Sequence, residues 1–117
     1  EAAGRPNGGV LVDALHFARS ATTLDDIAAI PATRSNYVQI CDAPATVPAT
    51  PEGLIHDARC ARLPPGEGAI DLAGLLARLP ADIPVSCEAP NDVRRVAAGA
   101  AAWVRTVHDA ARRLVDR

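Results

Sequence analysis

No lysine occurs in the chain, and its positive charge rests on twelve arginines scattered along 117 residues. Fourteen carboxylates outnumber them, the net charge is -2, and no basic stretch forms. Neither a nucleic-acid surface nor an anionic-membrane surface is expected. Aromatic residues are nearly absent. Phe17, Tyr37 and Trp103 are the whole set, so a core has to be assembled from Ala, Val, Leu and Ile. No run of about 18 apolar residues is present to span a bilayer, and no signal-peptide pattern is found. Cys41, Cys60 and Cys87 are odd in number and far apart, without CxxC or CxxxC spacing. That argues against zinc-finger and thioredoxin-type chemistry, and a reducing, cytoplasmic setting is the simplest inference. The opening at Glu1, without Met, reads as a helix tail and predicts that the chain is a piece of a longer protein.

What remains is the material of one modest domain, 49% apolar. The breaker cluster GRPNGG (4–9) precedes VLVD (10–13), a short aliphatic strand. A helical turn or two can follow over 14–20. Strands are predicted near 10–13, 37–41 and 84–88, and helices near 22–30, 72–79 and 99–116. Thr22 or Thr23 can cap the first of these helices and Asp71 the second. In the last, Ala100, Trp103, Val104, Val107, Ala111, Leu114 and Val115 share one face, opposite Arg105, Asp109, Arg112 and Asp116. The Pro-rich stretch 42–70 is long for a connector and reads as a functional loop. Strand alternating with helix three times predicts an α/β fold with a parallel sheet covered on its faces.

Each strand ends in, or lies next to, an oxygen donor. Asp13 closes the first, Gln39 lies in the second with Asp42 just beyond, and Glu88 closes the third. Side chains alternate along a strand, so Asp13, Gln39 and Glu88 can converge on one face while Val12, Val38, Ile40 and Val85 turn to the helices. Such hard donors suit Mg²⁺, Mn²⁺ or a permissive Zn²⁺ site. The plainer reading is that Asp13 and Glu88 only cap the segments that follow. His16, three residues after Asp13, would sit beside it if the chain turns helical there; it is a contact for a substrate oxygen or a solvent-edge histidine. In the loop, His56, Arg59 and Arg62 can bind an anionic group or be solvated. His108, on the last helix, is taken as structural.

These motifs in order, Asp-x-x-His after a strand, YVQICDAP, RLPPGEGAIDL and VSCEAPN, resemble the C-terminal part of the sugar phosphate isomerase/epimerase family. These are xylose isomerase-like TIM barrels, a superfamily shared with endonuclease-IV-type proteins. The resemblance implies that residues 1–117 form the last three βα units of an eight-unit barrel. It implies a divalent metal, Mn, Mg or Zn, held by Asp13, Gln39 and Glu88, with a further Glu on a strand outside this chain. It implies that His16 contacts substrate, with Arg59 or Arg62 supplying positive charge. Many members carry His where this chain has Gln39, and the DAPA that follows lacks the arginine some epimerases place there.

The function implied for the parent protein is a metal-dependent isomerase or epimerase of a small sugar or sugar phosphate, working through an enediolate. Glu88 is the expected proton-transfer base. A dehydratase of a cyclic polyol or shikimate-type substrate would use the same enolate chemistry. An endonuclease-IV-like repair enzyme fits less well, because it needs many histidines and a basic surface. Three units cannot close a barrel, so the chain alone is expected to be inactive and to self-associate through open sheet edges.

Overall fold

The computed structural model describes residues 4–116; the helix tail expected at the first residues lies outside the described residues. The elements are β1 (Val10–Asp13), α1 (Ala14–Ala18), α2 (Leu24–Ala28), β2 (Ser35–Ile40), α3 (Pro51–Cys60), α4 (Leu72–Leu76), β3 (Val85–Cys87), α5 (Asp92–Ala98) and α6 (Ala100–Val115), with a 3-10 turn over Ala32–Arg34. The three strands form one parallel sheet in the order β1-β2-β3. Asp13 pairs in register with Gln39, and Gln39 with Ser86.

The alternation of strand residues decides what each face meets. Val12, Val38 and Ile40 are buried and join Ile27, Leu72, Leu75, Leu79 and Ala111 in the main core. A second cluster gathers Leu15, Cys41, Ala43, Ala89, Trp103 and Val107 where the strands end. The opposite sheet face carries Leu11 and Tyr37, each 38% exposed. On β3 all three residues are exposed. β1 and β3 each have one strand partner, so the sheet is open at both edges among the described residues.

Local signals explain the helices. Thr23 and Asp26 form a reciprocal capping box on α2, and Asp71 accepts from the Gly74 N–H at the start of α4. α5 was not expected from the sequence. Asn91 caps it by accepting from the Arg94 N–H at 3.0 Å. Gly99, at φ +81°, ends it and sets the angle to α6.

The stretch 42–70, expected to be a functional loop, is partly helical: ten of its residues form α3. Thr50 caps α3, Pro51 opens it and Glu52 stands in its first turn. With no fully buried residue, the helix shows weak apolar periodicity, which is why it did not stand out. Arg19 fastens it to α1 and the neighbouring loop, donating to Asp57 at 3.0 Å and to the Pro44 carbonyl at 2.9 Å.

The rest of the stretch is stitched to the end of β2 by Asp42. Its backbone exchanges two 2.8 Å hydrogen bonds with Leu63. Its buried carboxylate accepts from the N–H groups of Ala43 (2.9 Å), Gly66 (2.9 Å) and Ile70 (3.0 Å). Gly66 sits at φ +85°. A Cβ at Gly68 would run into the Ala43 carbonyl and the Asp42 carboxylate. Both glycines of the GEG segment are thus needed, for different reasons. Hydrogen bonds to a charged acceptor contribute about 1.5–3 kcal/mol each. Asp42→Ala, which leaves Gly66 and Ile70 without their acceptor, should lower unfolding free energy by about 3–5 kcal/mol in urea titrations. Asp42→Asn should cost less, about 1–3 kcal/mol, because one carbonyl oxygen remains. An Asn variant as stable as wild type would remove Asp42 from this role.

Candidate functional site

Ligands of open α/β sheets and barrels gather beyond the C-terminal strand ends, and there the chain buries a charged cluster. Its centre is Arg62, which leaves α3 and reaches over the sheet with only 4% of its side chain exposed. Nη1 donates to Asp13 Oδ2 at 2.8 Å and lies 3.2 Å from Glu88 Oε2. The same nitrogen is 3.4 Å from the Glu88 carbonyl oxygen and 3.6 Å from Cys41 Sγ. Nε donates to the Ala58 carbonyl at 2.8 Å. The Arg62 backbone is equally fixed: its N–H donates to Pro90 O, and its carbonyl accepts from Asn91 Nδ2, both at 3.0 Å. One residue therefore touches material from the ends of all three strands.

Asp13 performs two tasks. Oδ1 accepts from the His16 N–H at 3.0 Å, capping α1, while Oδ2 faces Arg62. Burial alone would push this carboxyl up. The Arg62 hydrogen bond, the His16 N–H and the guanidinium charge outweigh burial, with a smaller contribution from the Glu88 side chain, and hold it below the ordinary 3.8. Arg62 is likewise opposed by burial and raised by Asp13, so the pair is fully ionised. Glu88 differs from Asp13 in exposure. With 43% of its side chain accessible, it is the carboxylate that a small molecule can reach. Cys41 is shielded: burial pushes its thiol up to about 11, so it is not a thiolate nucleophile at neutral pH.

The residues singled out in the sequence are distributed as follows. Asp13, Glu88 and Arg62 meet. Gln39 is half-buried on the same sheet face, in register with Asp13. His16 is exposed at the rim, and its backbone N–H rather than its ring meets Asp13. Arg59 is exposed in the last turn of α3, and among the described residues no contact joins it to Asp13 or Glu88. Sequence reasoning missed Asn91, whose side chain both caps α5 and fixes Arg62; an Asn just before a helical run was the available signal. It also gave Glu67 no role. Glu67 pairs with Arg94 at 2.6 Å, and Arg94 lies 4.9 Å above the Trp103 ring, joining the GEG segment to α5 and α6.

These residues fit a divalent ion in kind. Two carboxylates already share one cationic group, and Gln39 lies in register with one of them; hard oxygen donors of this sort suit Mg²⁺ or Mn²⁺. In number they fall short of the six or more oxygens such ions take. Among the described residues, no group of three or more His, Cys, Asp or Glu side chains is placed to hold an ion. A wide concavity lined by Arg5, Pro6, Val10, Ile30 and Arg34 lies at the opposite, N-terminal end of the strands, away from this chemistry.

No protein-family model and no curated protein matches the chain, but solved structures do. The IolI protein, solved with a bound zinc atom, matches with a TM-score of 0.75 at 23% identity, over 97% of this chain and 40% of that one. A xylose isomerase-like TIM barrel/4-hydroxyphenylpyruvate dioxygenase fusion protein matches with a TM-score of 0.66 at 32% identity, over 77% of this chain and 14% of that one. A xylose isomerase domain protein from Alicyclobacillus acidocaldarius subsp. acidocaldarius matches with a TM-score of 0.57 at 27% identity, over 92% of this chain and 39% of that one. The chain thus spans well under half the length of each.

The Asp13–Arg62 pair makes stability depend on pH. A carboxyl held below its unfolded value, about 3.9, contributes stability that is complete above that value. The contribution is lost as pH falls through the lower folded value. Asp13→Asn should cost about 2–4 kcal/mol at pH 7, since it leaves a buried guanidinium with only the partly exposed Glu88. Denaturant titrations should show the gap between wild type and variant closing only below about pH 4. A gap that is constant from pH 7 to pH 3 would show that the ion pair does not stabilise the fold.

Proposed function

We propose that this chain, three βα units with the fold of a xylose isomerase-like TIM barrel, carries part of the active site of a divalent-metal-dependent isomerase or epimerase. The substrate would be a small sugar or sugar phosphate. The observation that carries the reading is the meeting of Asp13 and Glu88, from strands that are not neighbours, on one cationic group beyond the C-terminal strand ends.

Asp13, Gln39 and Glu88 would hold the ion, and Lewis-acid polarisation of a substrate oxygen is the chemistry such an ion supplies. The zinc bound in the IolI structure supports a divalent ion in this fold. The chain's own residues provide the rest. Glu88, reachable from solvent, takes a proton from the carbon next to a carbonyl and returns it to the neighbouring carbon. The C–H electron pair forms the C=C bond of an enediolate as the carbonyl π pair moves onto its oxygen. The proton of the neighbouring hydroxyl passes to that oxygen, the second oxygen becomes the carbonyl, and the C=C pair takes up the returned proton as a new C–H bond. Proton transfer of this kind contributes about 10²–10⁴-fold. Arg62 donates to substrate oxygens on which negative charge develops. His16 stands at the rim, where its ring can bind a substrate hydroxyl.

Among the described residues the sheet closes no barrel, and we expect no turnover from these units alone. In the protein that completes the barrel, Glu88→Gln should lower kcat by at least about 100-fold. Incorporation of solvent deuterium into the exchanged C–H position should be abolished with it. Unchanged turnover and exchange in that variant would exclude Glu88 as the base. The open edges of β1 and β3 present unpaired N–H and C=O groups beside exposed Val10 and Val85. We propose that another chain or copy pairs with them. Sedimentation at micromolar concentration should show a species larger than one chain, and a sharply melting monomer would refute this.

A further inference from the structure

Arg62 stands where the metal reading needs free carboxylates. A single nitrogen lies within 3.2 Å of both Asp13 Oδ2 and Glu88 Oε2, so one oxygen of each carboxylate is already engaged by a cation. The other Asp13 oxygen already accepts the His16 N–H that caps α1, which leaves it one lone pair. Two cations on the same pair of carboxylates repel each other, most strongly at Asp13, whose side chain is only 5% exposed. Arg62 also cannot leave as a whole. Its N–H and carbonyl are bonded to Pro90 and Asn91, which leaves side-chain torsions as its only freedom.

We propose that Arg62 is an internal counter-ion that competes with a divalent metal for Asp13 and Glu88, so that metal loading is coupled to release of its guanidinium. The proposal rests on the reading of Asp13 and Glu88 as ligands. It explains how two carboxylates can be kept converged without an ion, and it makes Arg62 available to substrate only after loading. Arg62 then sets the metal affinity of the site although it is not a ligand.

The test is a calorimetric Mn²⁺ titration of the full chain as wild type, Arg62→Gln and Asp13→Asn, each first checked for cooperative unfolding. Arg62→Gln should bind Mn²⁺ at least tenfold more tightly than wild type, and Asp13→Asn should lose binding. Equal or weaker binding by Arg62→Gln, with Asp13→Asn still losing it, would overturn the competition and leave the ligand reading standing. Absence of Mn²⁺ binding in both wild type and Arg62→Gln would overturn both. If Arg62→Gln does not fold, wild type labelled with ¹⁵N at arginine decides. The Arg62 guanidinium signals, sharp and slowly exchanging while paired, should shift and exchange faster as Mg²⁺ is added. Signals unchanged by Mg²⁺ would overturn the proposal.

Discussion

The structure turns on one buried guanidinium. Arg62 is placed among Asp13 from β1, Cys41 at the end of β2, Glu88 beyond β3, Ala58 of α3 and Pro90 ahead of α5. A charge shielded to this degree is tolerable only when it is paired and its remaining donors are satisfied. The segment carrying it therefore has to fold back over the strand ends, and the strand ends have to present carboxylates to it. No buried side-chain polar atom among the described residues lacks a partner.

That constraint organises the long connection between β2 and β3. Asp42 and the two glycines of GEG fix the segment after Arg62, and Arg19 fixes the helix before it. Glu67 and Arg94 carry the connection on to Trp103, whose Nε1 donates to the Ala89 carbonyl one residue past Glu88. A cation over an aromatic face at an exposed site contributes about 0.5–1 kcal/mol, so this last link orients more than it stabilises. The connection forms a hydrogen-bonded shelf beside the strand ends.

The same arrangement separates the two carboxylates chemically. Asp13 is buried, doubly bonded and held ionised, which suits a group that positions others. Glu88 shares the same cation but remains open to solvent, which suits a group that exchanges protons with a substrate. Leu11 and Tyr37, exposed on the sheet face below them, and the open edges of β1 and β3 mark surfaces that a complete barrel would cover.

The sequence by itself determined the local structure. Aliphatic runs bounded by breakers made the three strands legible, and their register sets Asp13 beside Gln39. The amphipathic pattern around Trp103 and Val107 made α6 plain. α3 and α5 were harder to see because they bury little, and a helix without a strong apolar stripe has little periodicity to show. Only the tertiary structure decided which cation the carboxylates face. Arg59 and Arg62 are equivalent as letters three residues apart, yet one points into solvent and the other is the hub of the site. Asp42, an acid beside a candidate ligand, turned out to hold backbone N–H groups. Those outcomes depend on long-range packing of the 61–70 segment against β2 and the α5 cap, contacts that no short window of sequence contains.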